Sequence, residues 1–172
     1  MTYPPGVLIT NHVLAGALIG SAAPGPVSAF AAGVVSHFAM DAVPHWGVDS
    51  IREFLPIAVA DGLVGLTAMA LVARATPPGR RTRVVAGMLG AAFPDTDKPW
   101  DLFVGGSPFP RAWDDFHGRI QVESPRRMPQ EVLVATVSAL LVRRVSAAAR
   151  QSTRSPRRAA AGRRGRRRCS PR

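Results

Sequence analysis

Five apolar stretches, separated by proline-rich or basic segments, set the pattern of the chain. They cover residues 7–23, 27–43, 54–73, 84–93 and 131–145. The third stretch holds 20 residues, about the number that a helix needs to cross the ~30 Å of hydrocarbon in a bilayer. Prolines follow several stretches and would stop a helix there. The pattern predicts an all-α protein, an integral membrane bundle of about four to five helices.

Small residues in the first two stretches favour close packing of helices in a membrane. Gly16 and Gly20 lie in the first stretch, and Gly33 and Ser36 in the second. The alternative is a soluble all-helical domain rich in alanine and glycine, but so many successive apolar runs would overfill a soluble core of this size. We therefore expect a multi-pass protein of the inner (plasma) membrane, with the lipid bilayer as its first partner.

The positive charge is concentrated at the C-terminus. Twelve of the 22 basic residues are arginines in the segment 143–172, which has no acidic residue and leaves 10 basic against 11 acidic residues elsewhere. Low-complexity Arg, Ala and Ser sequence cannot bury a core. We expect a membrane bundle at residues 1–145 that carries the site, and a disordered Arg-rich tail at residues 146–172. The single cysteine, Cys169, excludes a disulfide within the chain.

The tail suggests a partner of its own. Arginines beside a membrane attract anionic lipid at about 1 kcal/mol each. Nucleic acid is a weaker alternative, because the tail has no aromatic or base-reading residues and the rest of the chain offers no basic surface. Residues 96–129, rich in Pro, Gly, Trp and charge, read as an irregular, partly interfacial loop between the fourth and fifth helices.

Polar residues of several predicted helices fall at one end of the bundle. Short arginine-rich loops favour the cytoplasm, which places residues 74–83 and the tail on that side. If successive helices run antiparallel, as short connections favour, the opposite end collects side chains from all of the first four stretches. These are His12, His37, Asp41, Asp61, Asp95 and Asp97.

These residue types in this arrangement predict a metal site. His37 and Asp41 are spaced i, i+4 and point the same way on a helix. Asp61 is an ionisable group inside an apolar span, which is costly and usually functional. His45 follows Pro44 and would lie at the mouth of the site. Singly, each histidine could instead be satisfied by hydrogen bonds and each aspartate could cap a turn, but one shared site explains all of them together.

Three motifs resemble a known family, the predicted membrane-bound metal-dependent hydrolases, which are small bacterial multi-helix proteins. The motifs are Asn11-His12-Val-Leu-Ala-Gly16, Ser36-His37-Phe-Ala-Met-Asp41-Ala-Val-Pro44-His45-Trp46 and Gly90-Ala-Ala-Phe-Pro94-Asp95-Thr-Asp97. The resemblance covers roughly residues 8–120 and leaves out the tail. It implies that the histidines and aspartates of these motifs belong to a metal-dependent site, and His117 is similar to a later family histidine.

A divalent metal, zinc first, would activate water for attack on an ester or phosphoester. His37, Asp41 and His12 are the first candidates for ligands, Asp95 or Asp61 would complete the set, and His45 and His117 are further candidates. A carboxylate outside the ligand set, Asp95 or Asp97, would act in catalysis as the general base. The position at the membrane interface suggests a lipid or lipid-linked substrate. The alternative is a non-catalytic membrane protein whose buried polar residues hold helices together or bind a partner.

Overall fold

A computed structural model gives the fold of residues 8–48 and 50–168, with side chains as far as Ser152. Val7, at the start of the first apolar stretch, and Cys169 lie outside the described residues. Seven α-helices and two single turns of 3-10 helix, Pro94–Thr96 and Pro125–Arg127, make up this part of the chain. The α-helices are α1 (Ile9–Ala22), α2 (Pro26–Asp41), α3 (Ile51–Ala75), α4 (Pro78–Ala92), α5 (Asp97–Phe103), α6 (Arg111–Ile120) and α7 (Met128–Arg168). The all-α class is confirmed for the described residues, but four to five helices is too few.

The two additional helices are α5 and α6, which lie in the segment predicted to be irregular. α5 buries no residue, and α6 buries only His117. Neither helix holds a continuous apolar run like those used to predict the other five, although Trp113, Phe116 and Ile120 of α6 recur at the spacing of an amphipathic helix. α4 also begins earlier than expected, because Pro78 occupies the first helical position, where proline is favoured. The predicted basic loop at residues 74–83 is therefore partly helical.

The last helix extends beyond the predicted boundary at residue 145. Ser146 and Ala149 continue α7 and are buried. The alanine-rich sequence there favours helix formation, so α7 continues past residue 145, and the boundary between bundle and tail at residues 145 and 146 stays a prediction. The helical assignment runs on to Arg168, through much of the segment where a disordered tail is expected. That the tail adds no core of its own stays a prediction.

The bundle is built on close approach of α4 to α1 and α2. A Cβ atom at Gly87 of α4 would overlap the carbonyl oxygen of Gly16 and lie 3.0 Å from the nitrogen of Gly20, both in α1. A Cβ at Gly33 of α2 would lie 2.5 Å from the carbonyl oxygen of Gly87. The three helices therefore meet backbone to backbone, as small residues allow. The buried apolar core lies beside this contact and consists of Val13, Leu14, Ala17, Val72, Val84, Met88 and Val142.

Two helices are long and apolar enough to span a membrane, by length and composition. They cover Ile51–Ala75 and Pro125–Ser152. Of the most apolar 18 residues of each, only 6% and 17% are buried inside the protein. Their exposed surfaces carry large apolar side chains, among them Leu63, Leu66 and Leu133. A core helix of a soluble protein would be mostly buried, so most of the apolar surface of α3, and of α7 as far as Ser152, has no partner among the described residues.

The backbone contact at Gly87 gives the first prediction. In Gly87→Ala the new methyl group meets backbone atoms of α1, which cannot move aside as a flexible side chain could, so we expect a loss of about 1–3 kcal/mol in the free energy of unfolding. Denaturant titration of the purified protein in detergent would measure it. Gly79→Ala in the same helix is the control, since its Cβ meets nothing within 4 Å. Equal stability of the two variants would contradict the packing described here.

Candidate metal centre

Five side chains from four segments meet at one end of the bundle. His12 comes from α1, His37 and Asp41 from α2, Asp95 from the 3-10 turn after α4, and His117 from α6. His12 and His37 are 0% exposed, Asp41 is 1% exposed and His117 is 3% exposed. Antiparallel helices thus bring the sequence-predicted residues together. They fall into two overlapping groups of possible metal ligands, His12–His37–Asp41 and His37–Asp95–His117.

The Asp41 carboxylate lies between three imidazole rings. Its Oδ1 is 3.2 Å from Nε2 of His12, and its Oδ2 is 3.2 Å from Nε2 of His37 and 2.8 Å from Nε2 of His117. The amide of Gln121 also donates to Oδ2, at 3.3 Å. The rings of His12 and His37 stack with their centroids 4.0 Å apart. All three histidines therefore turn the same ring nitrogen toward one point.

A backbone contact fixes which nitrogen of His37 is available. Its Nδ1 lies 2.8 Å from the carbonyl oxygen of Ala91 in α4. A carbonyl can only accept a hydrogen bond, so Nδ1 carries the hydrogen and the lone pair of neutral His37 is on Nε2. A backbone carbonyl behind a histidine is the usual arrangement at metal-binding histidines. His37 belongs to both groups of possible ligands and has only Nε2 available for a metal. The two groups therefore form a single site.

The spacing of the nitrogen and oxygen atoms suits a small metal ion. Tetrahedral coordination with metal–nitrogen bonds of about 2.0–2.1 Å separates neighbouring ligand atoms by about 3.3 Å. Nε2 of His37 is 3.2 Å from Nε2 of His117 and 3.2 Å from Oδ2 of Asp41. The Asp95 Oδ1 is farther, 3.7 Å from His37 and 3.9 Å from His117. Asp95 therefore lies beside this triangle of ligand atoms rather than within it.

The buried nitrogen atoms of His12 are a further indication that the cluster could hold a metal ion. Both ring nitrogens of His12 are buried without a hydrogen-bond partner among the described residues, and so is Oδ1 of Asp41. The 3.2 Å contact between His12 and Asp41 does not have hydrogen-bond geometry. Buried polar atoms are nearly always satisfied in native proteins. An ion held by Nε2 of His12 and Oδ1 of Asp41 would satisfy two of these three atoms, so the donor set fits a metal.

Burial and the charges around the cluster shift the pKa values of Asp95 and His117. Burial raises the pKa of the Asp95 carboxyl, but the ammonium group of Lys98, with which it forms an ion pair, together with nearby histidines brings that pKa below its usual value. Burial lowers the pKa of His117, but the Asp41 hydrogen bond and the Asp97 carboxylate outweigh it and raise this pKa to about 9. His117 therefore holds a proton at neutral pH, and a metal ion that binds it must displace that proton.

Asp97 lies behind His117. Its Oδ2 is 3.6 Å from Nδ1 of that ring, on the side away from the Asp41 carboxylate. A carboxylate in this position orients the imidazole and increases its basicity, as outer-shell carboxylates of metal sites do. Of the two aspartates predicted to act in catalysis, Asp95 therefore faces the ligand atoms and Asp97 supports one of them.

Two of the predicted ligands lie outside both groups. Asp61 in α3 accepts a hydrogen bond from the backbone nitrogen of Thr10 at 3.3 Å, and the Thr10 hydroxyl donates to the Asp61 carbonyl at 3.2 Å. These two hydrogen bonds attach Asp61 to the start of α1 instead of to the cluster. His45 lies 3.6 Å from Glu123, and its backbone forms a bridge to the same residue. Pro44 has turned the chain before His45, which places this ring against a different loop.

Three polar residues near the site were not found from the sequence. Lys98 pairs with Asp95, and its spacing of three positions after Asp95 is a signal that could have been used. Gln121 gives no sequence signal. Glu131 is 3% exposed, accepts a hydrogen bond of 2.6 Å from the Asn11 amide and faces the backbone nitrogen of Trp46 at 3.4 Å. Glu131 thus fastens α7 to the start of α1, next to His12.

Comparison of the chain with protein-family models, with curated proteins and with solved structures finds no match in any of the three. The described residues contain buried His and Asp clusters that could hold a metal ion, at one end of a helical bundle with two helices of membrane-spanning length.

Metal content is the direct test of this site. We expect about one zinc-like ion per chain in the protein purified from detergent extracts, because four or five N and O ligands converge on one point. The double variant His37→Ala/Asp41→Ala should lose it. His45→Ala is the matched control and should keep the ion, since His45 lies outside both groups. Elemental analysis would count the ions, and a wild type that stays folded without bound metal would refute the assignment.

Proposed function

We propose that this protein is a membrane-bound metal-dependent hydrolase that acts on an ester or phosphoester of a lipid or lipid-linked substrate. The observation that supports it most is the buried, partly unsatisfied cluster around Asp41, whose three histidines aim their Nε2 atoms at one point. The resemblance of the surrounding motifs to predicted membrane-bound metal-dependent hydrolases agrees with this assignment and is part of the proposal.

Zinc is the metal that the donor set favours. Imidazole nitrogens and a carboxylate oxygen in a tetrahedral arrangement are typical zinc ligands. His12, His37, His117 and Asp41 would hold the ion. When bound, such an ion lowers the pKa of a coordinated water toward neutrality and polarises an ester or phosphoryl oxygen.

Asp95 and Lys98 lie where they could accept a proton from water and stabilise negative charge on the substrate. Asp95 Oδ1 lies 3.7 and 3.9 Å from two ligand nitrogens, close enough to accept a proton from an attacking water. Lys98 is paired with Asp95 and adds positive charge beside it, which would stabilise negative charge that develops on the substrate. Asp97 keeps His117 in place, as its contact with Nδ1 indicates.

The membrane part of the proposal rests on the exposed apolar surfaces of α3 and α7. Inside a bilayer these surfaces would be covered by lipid rather than water. α1 is a shorter apolar helix, and α1, α2 and α4 pack on one another through glycines in the manner of membrane helices. We infer a multi-pass protein of the plasma membrane. The Arg-rich end of α7 would then lie on the cytoplasmic side against anionic lipid, with the site at the opposite end of the bundle.

The role of Asp95 gives the test of catalysis. Asp95→Asn keeps the shape of the side chain but cannot accept a proton, so we expect metal content to be retained and hydrolysis to fall about 100-fold or more. Activity would be followed with phosphate-ester and carboxylic-ester lipids in mixed micelles, with zinc-loaded protein.

Asp115→Asn on the exposed surface of α6 serves as the control and should leave the rate unchanged. Metal binding without hydrolysis of any ester, in wild type and variants alike, would favour the non-catalytic alternative. In that case the cluster would hold α1, α2 and α6 together and would do no chemistry.

A further inference from the structure

A cavity of about 500 Å³ lies next to the metal cluster, between α1, α3 and α5. This volume is within the range of about 300–1,000 Å³ of small-molecule sites. Its walls are apolar almost throughout, with leucine, isoleucine, valine, phenylalanine and alanine side chains. The polar exceptions are Asp61, Asp95, Thr96 and Lys98, and Asp95 is also a member of the metal cluster. The cavity and the candidate metal site therefore share a wall.

The shape of the cavity follows one helix. Its wall on α3 is formed by residues spaced three or four positions apart, from Ile51 through Leu55, Gly62 and Leu66 to Met69, which lie along one side of a helix. Ile51 and Met69 are 18 positions apart, or about 27 Å of helix. The hydrocarbon of one leaflet is about 15 Å thick, half of the bilayer core. The lining of the cavity therefore extends over more than the thickness of one leaflet, which suits a linear hydrocarbon chain.

Glycine leaves the space open at the middle of this wall. A Cβ atom added at Gly62 meets nothing within 4 Å, although Gly62 is a lining residue and only partly exposed. A larger side chain there would fill the cavity without touching the backbone of a neighbouring helix. Leu63, the next residue, is 62% exposed and points away from the bundle.

We infer that this cavity binds the single hydrocarbon chain of an anionic, phosphate-bearing lipid, whose headgroup lies beside Lys98 and Asp95. The apolar walls suit the chain, and the Lys98 ammonium group suits a phosphate. Because Asp95 belongs to both the cavity and the cluster, a chain bound here carries its headgroup to the metal. The inference deepens the proposed function, on which its catalytic meaning rests, by naming the substrate class.

The test measures lipid binding rather than turnover. The full-length protein in phosphatidylcholine nanodiscs is exposed to a photoreactive lysophosphatidic acid with one saturated chain, irradiated at once, and the labelled peptides are mapped by mass spectrometry. In the wild type we expect saturable labelling of α3 and α5. Gly62→Trp should weaken it at least about tenfold, because the indole occupies the space of the chain, whereas Leu63→Trp, the matched control, should leave it unchanged.

The headgroup is tested with a monoacylglycerol of the same chain length. The wild type should prefer the phosphate-bearing probe, and Lys98→Gln should abolish that preference. Equal labelling of Gly62→Trp and Leu63→Trp would show lipid on the outer surface only and overturn the inference. Labelling that appears only in a variant lacking residues 2–6 would also overturn the inference, because the N-terminal segment would then be the occupant of the cavity.

Metal analysis of the same samples separates this inference from the proposed function. Gly62→Trp should keep its metal, since Gly62 lies outside the ligand cluster. Gly62-dependent lipid binding in a protein without metal would leave the cavity assignment intact and refute the hydrolase. Metal binding with hydrolysis of soluble esters, but without Gly62-dependent labelling, would support the hydrolase and refute the cavity assignment.

Discussion

The buried carboxylate of Asp41 is the constraint on which the candidate site depends. A charge that is 1% exposed is costly in a low-dielectric interior unless other groups compensate it. Here His117 of α6 and the side-chain amide of Gln121 hydrogen-bond to Oδ2, and His37 of α2 lies 3.2 Å from the same oxygen, whereas Oδ1, which faces His12 of α1, is left for an ion. None of these partners except His37 is close in sequence. These groups can surround the Asp41 carboxylate only if the helices pack at a defined distance from one another.

That distance is set by the glycines of α1, α2 and α4. Because Gly33 and Gly87 allow backbone contact, the carbonyl oxygen of Ala91 comes within 2.8 Å of Nδ1 of His37. This hydrogen bond selects the tautomer whose Nε2 faces Asp41. A wider spacing of α2 and α4 would leave the carbonyl out of reach and the ring free to turn. Small residues outside the ligand cluster thus determine which atom of His37 could bind a metal.

Much of this arrangement could be predicted from the sequence. The apolar runs ended by proline identified α1, α2 and α3 to within a few residues, and antiparallel order brought His12, His37, Asp41 and Asp95 to one end. Their meeting depends only on helix direction, which short connections determine. The spacing of His37 and Asp41 depends only on the helical period. Both are local properties that a sequence records.

The remainder depends on contacts between distant parts of the chain. Asp61 was expected in the site, but the backbone of Thr10, 51 positions away, already accommodates it. His45 was expected near the site, but the turn after Pro44 sets it against Glu123. The helices α5 and α6 contain no continuous apolar run, although Trp113, Phe116 and Ile120 of α6 recur at helical spacing and could have indicated that helix. Such partners are chosen by tertiary packing, which a single sequence does not display.

The balance of charge at the site agrees with the divalent ion that we propose. Three carboxylates, those of Asp41, Asp95 and Asp97, face one ammonium group, that of Lys98, and the protonated ring of His117. Without an ion this leaves one negative charge in excess in a buried region. A divalent ion that displaces the His117 proton adds two charges and removes one, which brings the site to neutrality. A monovalent ion would only replace the proton and leave the excess in place, so the same residues that supply the ligand atoms also define the charge they can hold.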